Sequence, residues 1–257
     1  MNILIMTDME GISGICRKSQ VMNSEPDYQQ GRKLMAMDIN ACVRGCLAGG
    51  AKRVIVRDAH CTGFNVIWED LEPGAEYVQG TSEERLPYID STDGVILLGY
   101  HAMAGTEGGV LEHTMSSMGW QNFWMNGRKT GEIAIDAGIA GDHDVPVIMV
   151  SGDDFTCAEA SKFLNGVLTV QVKKGLGAQG ACLLTKEKAH ALIFKGAAEA
   201  VKNCRKFKPY KVKKPVVMRL ELVSRGVLPG AHRGVKRIDG RTYEVTADSV
   251  EKALCMI

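Results

Sequence analysis

Two carboxylates, Asp8 and Glu10, stand two residues apart near the start of the chain, in Thr7-Asp8-Met9-Glu10-Gly11-Ile12-Ser13-Gly14-Ile15. Acids held side by side repel unless a proton or a cation sits between them. If the backbone stays extended past Thr7, its two-residue period puts both on one side of the chain. A structural reading stands beside this one, because acids after a strand also cap helices and stabilise turns. The choice between them depends on whether other segments supply ligands of metal type.

They do. His60 ends Asp58-Ala59-His60, His101 ends Gly99-Tyr100-His101, and His113 and Glu132 follow downstream. Two imidazoles facing two acids make a site of oxygen and nitrogen donors suited to Zn²⁺ or another first-row divalent ion. Three carboxylates with two imidazoles exceed the needs of one tetrahedral ion. A pair of ions about 3.5–4 Å apart, bridged by a carboxylate, uses them all. Asp8 is the natural bridge, being a short acid at the end of a strand.

The elements that must position these residues alternate. Ile3-Leu4-Ile5-Met6, Arg53-Val54-Ile55-Val56 and Gly94-Val95-Ile96-Leu97-Leu98 read as short buried strands, with a weaker one at Ala75–Val78. Between the first two, a helix is predicted over Asp27–Leu47, with Met35, Ile39, Cys42 and Cys46 as its apolar stripe and Gly49-Gly50 at its end. This βαβ rhythm predicts an α/β fold: a Rossmann-like, mainly parallel sheet flanked by helices, with a smaller α+β C-terminal part. The three clearest strands end in Asp8, His60 and His101, and ligands of open parallel sheets bind at carboxyl ends.

Further on, the aromatic stretch 108–126 reads as extended, with a hairpin turn at Asn126-Gly127. A helix opens at Glu132, a strand covers Val145–Val150, and a helix runs over Cys157–Leu164. The second part shows a strand at Thr169–Val172 and a helix over Thr185–Cys204 with Leu192, Ile193, Ala197 and Val201 inward. A strand at Pro215–Val223 and a final helix over Ala247–Ile257 complete it. A soft boundary divides a metal-binding α/β domain, 1–165, from the α+β part, 166–257.

Composition narrows the function classes. A net charge of +1 over 257 residues implies no general attraction to nucleic acid or membranes. The basic connector Asn203–Pro215 reads as a solvated linker, not a nucleic-acid patch. No apolar run spans a membrane and no signal peptide is evident, so the cytoplasm is the expected location. The eight cysteines form no Cys-x-x-Cys pair and no disulfide framework. Cys61 draws interest for following His60. No Gly-x-Gly-x-x-Gly and no Walker loop follows a strand, which disfavours a nucleotide cofactor.

The residues resemble those of the zinc-dependent D-aminopeptidases first associated with dipeptide-transport operons. Asp8-Met9-Glu10-Gly11-Ile12-Ser13-Gly14 matches the family's opening motif; Asp58-Ala59-His60, Leu98-Gly99-Tyr100-His101-Ala102 and His113-Thr114-Met115 resemble the next blocks in order. Asn126-Gly127 with Gly131-Glu132, and Val145-Pro146-Val147 with Gly152-Asp153-Asp154, resemble the last two. The resemblance implies two zinc ions per subunit on Asp8, Glu10, His60, His101 and Glu132, with Asp8 bridging. It implies that His113 is the catalytic residue and that subunits form a ring-shaped homo-oligomer, a decamer, around a channel. Two features depart from the family pattern. Glu112 stands where a small residue is expected, which bears on substrate preference, and the C-terminal tail is shorter, which bears on subunit contacts.

The chemistry expected of such a site is hydrolysis of short peptides or amides, with D-residues at the N-terminus. A metal lowers the pKa of bound water from 15.7 to about 7, and His113 assists by giving a proton to the leaving amine or by stabilising the oxyanion. Another two-metal hydrolase, a phosphoesterase or amidase, is the rival. Phosphate would call for an Arg or Lys converging on the metals, and Arg57, beside Asp58, should point away. A non-catalytic metal- or peptide-binding protein is the third reading, and it leaves His113 without a task. Asp58 either orients His60 or caps a turn. Asp153 and Asp154 either orient a ligand or cap a helix. His143, between Asp142 and Asp144, reads as surface, and His190 and His232 as structural.

Overall fold

A computed structural model describes residues 1–226, 228–230 and 234–257; the reading of His232 lies outside them. In chain order the elements are β1 (Asn2–Thr7), α1 (Tyr28–Ala48), β2 (Arg53–Asp58), β3 (Glu76–Val78), β4 (Gly94–Leu98), β5 (Trp120–Met125), β6 (Arg128–Lys129), α2 (Glu132–Asp142) and β7 (Val147–Gly152). They continue with α3 (Asp154–Phe163), β8 (Leu168–Gln171), β9 (Lys173–Gly177), β10 (Gly180–Leu183), α4 (Lys186–Lys202), β11 (Val216–Leu222), β12 (Val235–Arg237), β13 (Thr242–Ala247) and α5 (Val250–Leu254).

Six strands form a parallel sheet in the order β3-β2-β1-β4-β7-β8. The order reverses between β1 and β4, and the crevice beyond the carboxyl ends of such a pair is where open sheets bind ligands. Register sets the geometry: Thr7 pairs with Asp58 on one side and with Leu98 on the other. The segments leaving β1, β2 and β4 therefore start level at one edge. The strands are apolar throughout because both faces are covered. Ile3 and Ile5 face α1 and α4, while Leu4 and Met6 face the layer that holds α2 and the second sheet.

That second sheet is antiparallel, ordered β12-β13-β11-β5-β6. The predicted Asn-Gly hairpin joins β5 to β6, with Asn126 at φ 50° and Gly127 at φ 77°, the left-handed pair such a turn needs. Both sheets cross position 165, since β8 pairs with β7 and β11 with β5.

Some expectations fail for identifiable reasons. Residues 108–119 contain no strand; they form successive turns, and only Trp120–Met125 finds pairing partners. Leu192 is 39% exposed, while Ile193, Ala197 and Val201 are buried, so the apolar stripe of α4 is narrower than its composition suggests. The final helix shrinks to α5, capped by the Ser249 hydroxyl, because Thr242–Ala247 pairs with β11 as β13. The hairpin of β9 and β10 escaped detection, being glycine-rich and weakly apolar. Among the described residues no helix is long and apolar enough to cross a membrane.

Candidate metal centre

The strand ends carry the site. Asp8 N–H donates to the Leu98 carbonyl (2.9 Å), Gly11 N–H to Gly99 (2.7 Å) and Ala59 N–H to Thr7 (2.9 Å), so the three segments stay paired past the sheet. After Asp8 the chain does not remain extended, as the two-residue spacing had assumed. It turns, with Ile12 N–H on the Met9 carbonyl at 3.1 Å, yet both carboxylates still reach His60. Gly11 makes this possible: a Cβ there would lie 1.8 Å from the Tyr100 carbonyl oxygen.

Asp8, Glu10, His60, His101, His113 and Glu132 converge on one cleft edge. His60 Nδ1 lies 2.9 Å from Asp8 Oδ1 and 3.1 Å from Glu10 Oε2. His101 Nε2 lies 3.3 Å from both Asp8 Oδ2 and Glu132 Oε1. His113 Nε2 stands 3.8 Å from the same Glu132 oxygen, and its ring stacks on His101 with centroids 4.0 Å apart. Two groups, Asp8 with Glu10 and His60, and His101 with His113 and Glu132, have ligand atoms close enough for one ion each.

The tautomers can be deduced. A carbonyl oxygen only accepts, so each ring nitrogen resting on one carries a proton. His60 Nε2 rests on the Val21 carbonyl (3.0 Å), His101 Nδ1 on Ala102 (3.0 Å) and His113 Nδ1 on Leu111 (2.9 Å). In the neutral rings the opposite nitrogens are therefore lone pairs, and they point at carboxylates. Lone pair against lone pair is repulsive unless a proton or cation lies between them. The buried Glu10 Oε2 and His101 Nε2 have no hydrogen-bond partner among the described residues, as cation ligands would. This arrangement fits zinc, and its carbonyl-anchored imidazoles are the outer support usual for metal-binding histidines.

Without the ion, protons take its place. Burial alone would disfavour charge on His60 and His101, but Glu10, Glu132 and Asp8 outweigh it and raise both well above the ordinary value. Against its burial, Glu132 is held down to about 2 by His101, and Asp8 is lowered well below its usual range by His101 and His60. The sign of the pH dependence follows. Raised histidines add stability below about 6.5 that is lost as pH rises through their folded values; depressed carboxylates add stability that is lost in acid. Chelated protein should therefore melt at lower temperature as pH rises above neutral, and zinc should restore the loss. Calorimetry at stepped pH with and without zinc checks this; a metal-free melting temperature that climbs with pH would contradict it.

Other side chains hold these residues in place. Asp58, buried, accepts from Asn65 N–H (2.6 Å), Asn65 Nδ2 (2.8 Å) and Val66 N–H (3.1 Å), and Asn65 Nδ2 also donates to the His60 carbonyl (2.7 Å). Asp58 thus holds the His60 loop and does not touch the ring. Asp153 caps α3 through Thr156 N–H (2.7 Å) and also receives Val110 N–H (2.8 Å), anchoring the His113 loop. Asp154 receives Gly175 N–H at 2.8 Å. Met115 N–H donates to Glu132 Oε1 at 2.7 Å, tying that loop to the first residue of α2. His143 pairs with exposed Asp90, and His190 lies 3.2 Å from Asp38.

Three supporting residues carried no local signal. Lys173 is 1% exposed, and its ammonium donates to the carbonyls of Glu10 (2.5 Å), Ile12 (3.0 Å) and Ile15 (2.7 Å). Glu159 takes Met103 N–H at 2.7 Å, and burial pushes its carboxyl up to about 7. Arg85 corrects an expectation: Arg57 does point away, onto the Gly80 carbonyl (2.6 Å), but Arg85 brings a guanidinium within 3.6 Å of Glu132.

The cleft over these residues has a volume of about 240 Å³, with Cys61 and Arg85 also in its wall. A side lobe of about 200 Å³ shares Glu10, Met22 and His113 with it and is also lined by Lys18, Val21, Leu111 and Glu112. The Glu112 carboxylate is tied to Gly105 N–H. Over residues 1–257 the chain matches the family model for the peptidase M55 D-aminopeptidases. The chain belongs to this D-aminopeptidase family. It is therefore an enzyme, a hydrolase of peptide bonds. The D-aminopeptidase of Bacillus subtilis (strain 168) is 34% identical over 229 residues, 88% of this chain and 83% of that one. Among solved structures, the Zn-dependent D-aminopeptidase DppA from Bacillus subtilis, described as a self-compartmentalizing protease, superposes with a TM-score of 0.92. That match is at 31% identity and covers all of this chain and 95% of the other.

Proposed function

We propose that this family member is a dinuclear zinc aminopeptidase that removes a D-residue from the N-terminus of short peptides or amides. The observation that carries this reading is the set of imidazole nitrogens that face Asp8, Glu10 and Glu132 at 2.9–3.3 Å, where a proton or a cation must lie between them. Asp8 suits a bridging role, because Oδ1 faces His60 while Oδ2 faces His101. Glu10 and His60 would hold one ion, and His101 and Glu132 the other. Zinc held there supplies Lewis acidity, activating water near neutral pH and polarising the scissile carbonyl.

The chain's own groups do the rest. His113 keeps its Nδ1 proton on the Leu111 carbonyl, which leaves Nε2 to take a proton from water and give it to the departing amine. Burial of Asp8, Glu10 and His101 keeps bulk water from competing for these contacts. The self-compartmentalizing neighbour supports assembly into a homo-oligomer; in this reading it is a ring, a decamer, working on small peptides in the cytoplasm. Phe64, Trp68, Met118 and Leu176 are exposed apolar side chains consistent with such contacts.

The test is a hydrolysis screen of paired D- and L-aminoacyl amides, with chelation and zinc return. Failure of the zinc-loaded protein on both stereoisomers sinks the peptidase reading; preference for L sinks the D-selectivity. In the same assay His113→Ala should lower turnover by about 10²–10⁴-fold with zinc content intact. Loss of one of two zinc ions would instead make His113 a ligand, a second reading to which its 3.8 Å approach to Glu132 points.

A further inference from the structure

Arg85 is left without a task by the chemistry above. It lies between β3 and β4, and its guanidinium meets Asp136 with two nitrogens: Nε in a short contact and Nη2 at 3.0 Å. The Tyr100 hydroxyl donates to the same Asp136 carboxylate at 2.5 Å, so that acid is fully engaged and Arg85 is locked in orientation. Burial works against the Arg85 charge, yet Asp136 and Glu132 hold it firmly protonated. Nη1 has no hydrogen-bond partner among the described residues, and the side chain, 18% exposed, forms part of the cleft wall. Among the described residues lining the part of the cleft over Asp8 and Glu132, Arg85 is the only Arg or Lys, while Lys18 lines the side lobe; Asp8, Glu10 and Glu132 would repel an anion.

We propose that Arg85 receives the C-terminal carboxylate of the substrate and thereby makes dipeptides the preferred class, an inference that rests on the peptidase reading above. In a dipeptide the carboxylate carbon lies two bonds from the leaving nitrogen. A guanidinium 3.6 Å from Glu132 is close enough to the proposed reacting bond to reach it. Each further residue carries the carboxylate about 3.3–3.6 Å farther along an extended chain, past a guanidinium that Asp136 holds in place. A planar guanidinium with one edge fixed and another open is pre-organised for a carboxylate. Asp136 provides the fixing, so Arg85 acts on specificity by touching the substrate.

The experiment compares D-alanylglycine, D-alanylglycinamide and D-alanylglycylglycine on the zinc-loaded wild type, Arg85→Lys, Arg85→Met and the double variant Arg85→Met/Asp136→Asn. The double variant removes the buried charge pair together, so a folding defect from a stranded Asp136 is not mistaken for lost recognition. The wild type should favour the free-acid dipeptide over its amide by about 10–100-fold in kcat/KM, mostly through KM, and favour it over the tripeptide. That ratio should fall to about 1 in both Met variants and recover in part with Lys. Equal cleavage of acid and amide by the wild type, or an unchanged ratio in both Met variants, overturns the assignment. So does turnover of p-nitrophenyl phosphate that requires Arg85, which would make the guanidinium a phosphate receptor. If the wild type cleaves none of the peptides, the peptidase reading itself has failed, a result distinct from equal cleavage.

Discussion

Asp8→Asn is expected to lower turnover by about 10³-fold or more while the protein stays folded and its zinc content falls. The substitution keeps the shape of the side chain and removes its charge. Oδ1 faces His60 Nδ1 at 2.9 Å and Oδ2 faces His101 Nε2 at 3.3 Å, so one carboxylate serves both halves of the site. An amide in its place offers one carbonyl oxygen and an NH₂ that repels a cation. Its nitrogen also donates readily to a histidine lone pair, which relieves the repulsion the ion would otherwise relieve. The fold should therefore survive, as circular dichroism can show, while metal analysis reports fewer than two zinc ions per chain. Wild-type turnover with full zinc occupancy in Asp8→Asn would refute the bridging role.

The second large effect lies outside the proposed ligands. Lys173→Met should destabilise the zinc-loaded protein by about 3–5 kcal/mol. The Lys173 ammonium has three donors, and the carbonyls of Glu10, Ile12 and Ile15 accept all of them. Methionine fills the same space but offers no donor, which leaves three carbonyls dry. Burial lowers the Lys173 pKa to about 8, so the ammonium is costly to keep, and its cage is what retains it at neutral pH. Its stability contribution has a definite sign with pH. Because the folded value lies below the unfolded one, the cost of charging is fully present below about 8 and relaxes as pH rises toward 10.5. Denaturant titration at pH 7 measures the loss. Zinc affinity should fall with it, since Glu10 sits on the loop the ammonium ties down. A variant as stable as the wild type would show that water fills the cage.

The two substitutions differ in how visible their targets are in the sequence. Asp8 and Glu10 announce themselves by spacing, and His60 and His101 by following apolar runs that could only be buried strands. The α1 stripe of Met35, Ile39, Cys42 and Cys46, all fully buried, was equally legible, because a helix repeats locally every 3.6 residues. The Asn126-Gly127 turn is local too. By contrast, the turns that carry His113 have left-handed residues at Leu111 and Met115, a backbone that neither side chain favours and that composition does not advertise.

The sequence by itself determined the α/β rhythm, the carboxyl-end placement of the acids and imidazoles, and the six residues that converge. Periodicity and chain direction are properties of short segments, and they suffice for that. Only the tertiary structure decided which nitrogen of each histidine is free, that Arg85 leans on Asp136, and that Lys173 reaches back to Glu10 across 163 positions. Such choices depend on which backbone carbonyl or carboxylate happens to lie beside a buried group. That neighbour is set by the packing of distant segments, which no local pattern encodes.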